Sequence, residues 1–224
     1  MKIYALIPAG GKGKRSGAAI PKQYIKFGGK ELIAYTLGVF QKSKYINEII
    51  VACDPAYFSL ITSLKSRFRI SKLKKIVAGG EERQDSVYNC LKEVAGKKDD
   101  LVVVHDAARP LLPIKTLDNA ILTAIRKGNS LVCIKARDTL IKGEEDVEEY
   151  VNRNKVYYVQ TPQIFRYSDL LSAMKKAYDD KFIGTDESML VKRLGIRINI
   201  VEGSAFNFKV TTHEDLELFR KLIK

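Results

Sequence analysis

No stretch of this 224-residue chain is an unbroken apolar run of the kind that crosses a bilayer, since a spanning helix takes about 18 or more such residues. The opening MKIYALIPAGG breaks from a short apolar stretch into glycines too early for a signal h-region, so a cytoplasmic protein without membrane partners is expected. Cysteine is scarce: Cys53, Cys90 and Cys133 stand singly in apolar surroundings without CxxC spacing. That excludes a disulfide framework and a zinc-ligand set and leaves buried free thiols. Internal repeats and low-complexity segments are also missing.

What the chain has in excess is positive charge. The net charge of +13 asks for an anionic partner, which composition alone leaves open between nucleic acid, a membrane surface and phosphorylated small molecules. Distribution narrows the choice. Lys12, Lys14, Arg15, Lys22, Lys26 and Lys30 crowd one glycine-rich segment, whereas later basic residues are mixed with Asp and Glu. Aromatic interleaving, a recognition helix and an RNP-like sequence are all absent, which argues against a nucleic-acid-binding module. A phosphate site for small molecules is the better reading.

Apolar runs and helical periodicities alternate. Strands are expected at Ile3–Pro8, at EIIVACD ending on Asp54, at Ile76–Ala78, at Leu101–Asp106, at Ser130–Ile134 and at Ile196–Val201. Helices are expected at Leu32–Phe40, Asp85–Val94, Ile114–Arg126, Ser168–Tyr178, Asp186–Leu194 and Glu214–Ile223, the last opened by a capping box of Thr211 with Glu214. The pattern means parallel strands joined by helical crossovers, an α/β layered fold over residues 1–224. Residues 137–159 interrupt it with a highly charged stretch, read as a projecting arm with β character at both ends.

Open α/β sheets bind ligands at the carboxyl ends of their strands, and three clusters fall there: PAGGKGKR, AGGEERQDSV and HDAARP. The first is neither a Walker A sequence, since Pro8 and Arg15 stand where Gly and Ser or Thr are needed, nor a dinucleotide fingerprint, since Ser16 stands where the third glycine belongs. It remains a loop whose Ala9, Gly10, Gly11 and Gly13 let backbone N–H groups approach an anion, with Arg15 and Lys22 adding charge. The bland alternative is a glycine turn, which leaves the crowded cations unexplained.

Taken in order, PAGGKGKR with PKQY, GGEERQDSV, VHDAARP, TPQIF, TDES and FKVT resemble the signature of the methylerythritol phosphate cytidylyltransferases, from Ile3 to about Leu218. The resemblance implies a doubly wound, mostly parallel sheet of the Rossmann-like nucleotidyltransferase kind, with a β-arm that builds a homodimer. It implies transfer of a cytidylyl group from CTP to methylerythritol 4-phosphate, assisted by magnesium or another divalent cation whose protein ligands it leaves unknown. The nearest rival, a ribitol 5-phosphate cytidylyltransferase, shares fold, loop and mechanism; HDAARP and RQDSV favour the methylerythritol branch.

By the same resemblance Arg15 and Lys22 stabilise charge at the α-phosphate, and Lys209 with Arg153 of the neighbouring subunit's arm holds the acceptor phosphate. Ala9, Gly10, Gly11, Gly13, Gly79 and Gly80 form the cytidine-reading surface, with Ser86 and Arg83 beside them. Asp106 and Arg109 lie near the acceptor and ribose; Asp106 touches a substrate hydroxyl or a magnesium-bound water, or merely caps the segment after it. Thr139 and Thr185 are further acceptor contacts, although a hydroxyl in Thr185's place is as often a helix cap. Either histidine is an unneeded catalyst, because attack of one phosphate on another calls for positioning and electrostatics rather than a covalent nucleophile. Two departures stand out: CIKA (133–136) replaces a proline-containing stretch before RDT, and Ser16 replaces a methionine.

Overall fold

Short apolar runs become strands and amphipathic ones become helices, in the order read from the sequence, with a helix at Phe58–Arg67 and a central strand at Tyr157–Arg166 that were not expected. A computed structural model describes residues 1–11 and 20–223. The chain runs β1 (Ile3–Pro8), β2 (Lys26–Phe27), β3 (Lys30–Glu31), α1 (Leu32–Lys42), β4 (Glu48–Cys53), α2 (Phe58–Arg67), β5 (Leu73–Ala78), α3 (Arg83–Lys92) and β6 (Leu101–Val104). It continues through α4 (Ile114–Lys127), β7 (Asn129–Lys135), β8 (Leu140–Lys142), β9 (Glu149–Val151), β10 (Tyr157–Arg166), α5 (Tyr167–Asp179), α6 (Glu187–Arg193), β11 (Ile200–Glu202) and α7 (His213–Leu222).

Seven strands share one sheet in the order β11-β7-β10-β6-β1-β4-β5. The neighbours of β1, β4 with β5, and β11 with β7 are parallel, and Ala5 sits between Ile49 and Val103. Among these seven, β10 alone runs against its neighbours, β6 and β7. The two-residue side-chain period of a strand explains why both faces are covered. On β1, Ile3, Ala5 and Ile7 enter one apolar cluster with α1, α2 and α4, while Tyr4 and Leu6 enter another with α3, α5 and α6. β6 divides the same way, Leu101 and Val103 against Val102 and Val104. Each buried aliphatic side chain contributes about 1.5–3 kcal/mol of transfer free energy, so this alternation carries most of the sheet's anchorage.

From β1 the chain passes to β4 on one side and returns through α3 to β6 on the other. Their carboxyl ends therefore diverge in connection and leave a crevice, the usual ligand position in such sheets. The long helix α4 stops at Gly128, whose φ of 85° lets its N–H turn back to the Ala124 carbonyl at 2.7 Å.

Three expectations need correction. The arm does not extend to Val159: Tyr157–Arg166 is a ten-residue strand of the main sheet, buried through TPQIF because its glutamines and threonine find partners. Within the arm, β8 and β9 pair as an antiparallel hairpin, Leu140 opposite Val151, with most side chains exposed. The last helix is capped by Thr212, not Thr211: Asp215 N–H donates to Thr212 Oγ1 at 3.3 Å, and the Asp215 carboxylate accepts from the N–H groups of both Thr211 and Thr212. Finally, β11 begins at Ile200 rather than Ile196, because only its last residues reach the edge of β7.

Candidate active site

The loop after β1 is held from below by side chains rather than by its own turn. Gln23 Nε2 donates to the carbonyls of Ala9 and Gly11 at 2.7 and 2.9 Å, and Tyr24 Oη donates to Ala9 at 3.2 Å. Opposite it, Gly79 N–H donates to Cys53 at the end of β4 at 2.8 Å, which brings Gly79 against Gly10. A Cβ on Gly80 would lie 2.1 Å from Asp85 Cβ, so only glycine permits this approach. Ser86 Oγ accepts from Gly80 N–H at 3.1 Å and donates to Glu82 O at 3.3 Å, which fixes the second loop.

Between the loops lies a cavity of about 740 Å³, within the range of small-molecule sites. Among the expected residues, Ala9, Gly10, Gly11, Lys22, Gly80, Arg83, Ser86, Asp106 and Lys209 line it. Gly79 packs behind Gly10, and Arg109 lies behind Asp106. Lys22 opens a single 3-10 turn, Lys22–Tyr24, at the cavity wall. Gly13 and Arg15 fall outside the described residues.

Asp106, just past β6, is the electrostatic centre. Its Oδ1 receives Arg83 Nε at 3.0 Å, and its Oδ2 faces Lys209 Nζ at 3.1 Å and Arg109 Nε at 3.4 Å. Burial pushes this carboxyl upward, and Arg83, Lys209 and Arg109 together outweigh that, holding it well below the usual carboxylate range. It is not a helix cap: its own N–H is taken by Thr161 Oγ1 at 3.1 Å, and its carboxylate is spent on cations. Arg109 also donates to the Asn207 carbonyl at 2.7 Å, tying the site to the segment that carries Lys209.

His105 is a core residue. Its ring lies between Thr161 Oγ1 at 3.0 Å and the Arg109 carbonyl at 3.2 Å, fully buried, and burial pushes its pKa down to about 4. A neutral imidazole bridging two chain segments fits packing better than proton transfer.

Sequence reasoning missed two groups. Gln23, inside the quoted PKQY, shapes the phosphate loop; Glu187, inside the quoted TDES, receives Arg83 Nη1 at 2.7 Å while fully buried. A motif was the only signal for either.

Three expected residues lie away from this cavity in their own chain. Thr139 and Arg153 are exposed in the arm, and Arg153 Nη1 donates to the Arg137 carbonyl at 2.7 Å. Thr185 is exposed beside α6 but does not cap it; Asp186 does, accepting from Met189 N–H at 2.9 Å.

A family model described as 2-C-methyl-D-erythritol 4-phosphate cytidylyltransferase matches residues 3–224. The chain belongs to this family. It is 38% identical over 224 residues to the cytidylyltransferase of that name from Geobacillus kaustophilus, covering 100% of this chain and 97% of the relative. Against that from Halalkalibacterium halodurans identity is 39% with the same coverage. Among solved structures, the Francisella tularensis cytidylyltransferase superposes with a TM-score of 0.83 at 31% identity, covering 99% of both chains. The Thermus thermophilus enzyme gives 0.81 at 31%, covering 99% of this chain and 98% of that one. The α/β nucleotidyltransferase fold expected from the sequence is thereby shown.

Proposed function

We propose that this chain transfers the cytidylyl group of CTP to the phosphate of 2-C-methyl-D-erythritol 4-phosphate, forming 4-diphosphocytidyl-2-C-methyl-D-erythritol and pyrophosphate for isoprenoid precursor synthesis. The observation that carries the reading is the family match over residues 3–224; a glycine-walled cavity lined by Asp106 and its cations supports it. An acceptor phosphate oxygen bonds to the α-phosphorus, the bond from that phosphorus to the bridging oxygen breaks, and pyrophosphate leaves with the electron pair. Negative charge from both reactants gathers at one phosphorus, so catalysis rests on preorganised cations.

Lys22 at the phosphate loop, with Arg15, supplies charge to the triphosphate in this reading. Lys209, pinned to Asp106 but still partly exposed, faces the acceptor phosphate. Backbone groups of Ala9, Gly10, Gly11, Gly13, Gly79 and Gly80, with Ser86, read the cytidine; Gly10 and Gly79 pack directly against each other, which joins the two loops into one wall of the cavity. Arg83 and Arg109 brace Asp106.

Among the described residues no group of three or more acidic, histidine or cysteine side chains could hold a metal, and both oxygens of Asp106 are engaged by Arg83, Arg109 and Lys209. A magnesium ion fits this site as one carried in by the triphosphate, its shell completed by substrate phosphates and water, with Asp106 near enough to the cavity to hold one of those waters. Such an ion would add positive charge at the reacting phosphates.

The reading extends to a homodimer in which the exposed arm carries Thr139 and Arg153 into a neighbour's cavity, since neither reaches the cavity of its own chain. It also places the enzyme in the cytoplasm, where three buried free cysteines meet a reducing environment. None of the described helices is long and apolar enough to cross a membrane.

The deciding test is pyrophosphate release from purified protein with CTP and Mg²⁺ and, in parallel, methylerythritol 4-phosphate, ribitol 5-phosphate or no acceptor. Release with the first alone is expected. Release with ribitol 5-phosphate instead would move the acceptor while keeping the chemistry. Silence in all three would refute the enzyme reading.

A further inference from the structure

Every cation around Asp106 has a use in the proposed reaction except in one respect: half of the Arg83 guanidinium turns away from the cavity toward a second carboxylate. Glu187, the first residue of α6, places Oε1 2.7 Å from Arg83 Nη1 while its side chain is only 1% exposed. Its other oxygen, Oε2, is buried without a hydrogen-bond partner among the described residues. Burying a carboxylate with an oxygen unsatisfied is costly, and an apolar residue of similar size would usually be as stable or more so. Packing therefore gives no reason for a carboxylate at this position.

The geometry of Arg83 does. A guanidinium is a rigid planar fork, and two anions on different edges determine its orientation in a way one cannot. With Nε on Asp106 at 3.0 Å and Nη1 on Glu187 at 2.7 Å, Arg83 is anchored at both ends. Released from Glu187, it would pivot on Asp106 alone, toward whatever phosphate entered the cavity, and the Asp106 carboxylate would turn with it.

The same contact belongs to a wider clamp. Gly184 N–H donates to Gln84 Oε1 at 2.9 Å, and Gln84 Nε2 donates to the Phe182 carbonyl at 3.2 Å. From the other side, Gln163 of β10 donates to Asp186 at 3.0 Å and accepts from Ser188 N–H at 2.9 Å. The segment from Phe182 to Ser188, which displays Thr185, is thus fastened to the first turn of α3, the same turn whose Ser86 sets the loop of Gly80.

Resting on the functional reading above, we propose that Glu187 is a positioning residue of the transfer reaction: through Arg83 it fixes the orientation of Asp106 and aligns the Thr185 segment with the nucleotide-reading loop. Arg83 is correspondingly a brace whose charge is neutralised by Glu187, not a ligand of the triphosphate.

A double-mutant cycle on full-length protein tests this, with kcat and both KM values measured for Glu187→Gln, Arg83→Gln and the pair. Each single change is expected to lower kcat roughly 10- to 100-fold, the scale of a small misplacement of reacting groups, with KM for CTP within about twofold. Because both act through one contact, the pair should lose no more than Arg83→Gln alone. Losses that multiply, or a Glu187→Gln enzyme with full kcat, would overturn the proposal. A large rise in KM for CTP in Arg83→Gln would do so too, by making Arg83 a triphosphate ligand. Should Glu187→Gln fail to fold in thermal denaturation, Glu187→Asp carries the test: it keeps the charge but shortens the reach, and an unchanged kcat there overturns the proposal. If the unsubstituted protein releases no pyrophosphate with any acceptor, the functional reading falls as well, whereas an active parent with a multiplicative cycle sinks the positioning role alone.

Discussion

Two ion pairs in this protein have the same length, 2.7 Å. Lys142–Glu149 joins β8 to β9 in the arm, with side chains 64% and 57% exposed; Arg83–Glu187 joins α3 to α6 beneath the cavity, with Glu187 only 1% exposed. In the arm, water and salt screen the charges, the long side chains lose entropy, and such a pair contributes about 0.2–1 kcal/mol. Beneath the cavity the pair repays a desolvation cost of several kcal/mol per ion, and either partner alone would be left charged in a poor solvent. Distance tells nothing of worth here; surroundings decide. The lesson extends to role: the buried cluster meets its partners within the chain, whereas the charges of the arm face solvent.

The largest effect should come from breaking the buried side of this comparison at its centre. Asp106→Ala leaves Arg83 and Arg109 facing each other without their common anion, and removing one partner of a buried charge cluster typically costs about 3–5 kcal/mol. Urea titration should show that loss together with turnover reduced by about 100-fold or more. A variant of normal stability would mean that water or mobile anions replace the carboxylate readily, and the cluster would not be the rigid element described.

How much of this was legible beforehand depended on whether the signal was local. β1, β6 and α4 are readable to within one or two residues because an uninterrupted β-branched run, or apolar residues every third or fourth place, specifies the element without help from afar. β10 was not readable as a strand, since Gln160, Thr161 and Gln163 look like loop residues until their partners are known; Gln160 Nε2 donates to the Ser204 carbonyl at 2.9 Å, and Gln163 holds Asp186. The glycines and Asp106 announced themselves by standing at strand ends. Glu187 did not, because its partner Arg83 is 104 residues away and a single glutamate at a helix start reads as a response to the helix dipole. The arm's polarity was plain, but not its true end, where the chain re-enters the sheet.

A second prediction probes the buried side through pH. His105 is held neutral, with its pKa pushed down to about 4 by burial, against about 6.5 in an unfolded chain. Between those values the unfolded chain binds the extra proton, so stability falls as pH falls and is fully present above about 6.5. From pH 7 to pH 5 the loss attributable to this residue should be about 2 kcal/mol, read as the difference between the parent and His105→Gln in denaturant titrations at each pH. Parallel curves for the two proteins would mean that His105 titrates normally and that its bonds to Thr161 and Arg109 open easily.

The smallest effect on stability belongs to the arm. Lys142→Ala and Arg153→Ala should each change unfolding free energy by no more than about 0.5–1 kcal/mol, because both side chains are solvated in their own chain. On the proposed role of Arg153 as a holder of the acceptor phosphate, Arg153→Ala should nevertheless raise KM for the acceptor and change KM for CTP little. If the arm serves the neighbour's cavity, mixing Arg153→Ala subunits with Lys22→Ala subunits restores part of the activity: the heterodimer then holds one cavity with its own Lys22 and a partner's intact Arg153. No recovery in the mixture, with subunit exchange verified by mass, would confine Arg153 to its own chain. Its exposed bond to the Arg137 carbonyl would then be its whole role, and the two ion pairs would differ only in worth.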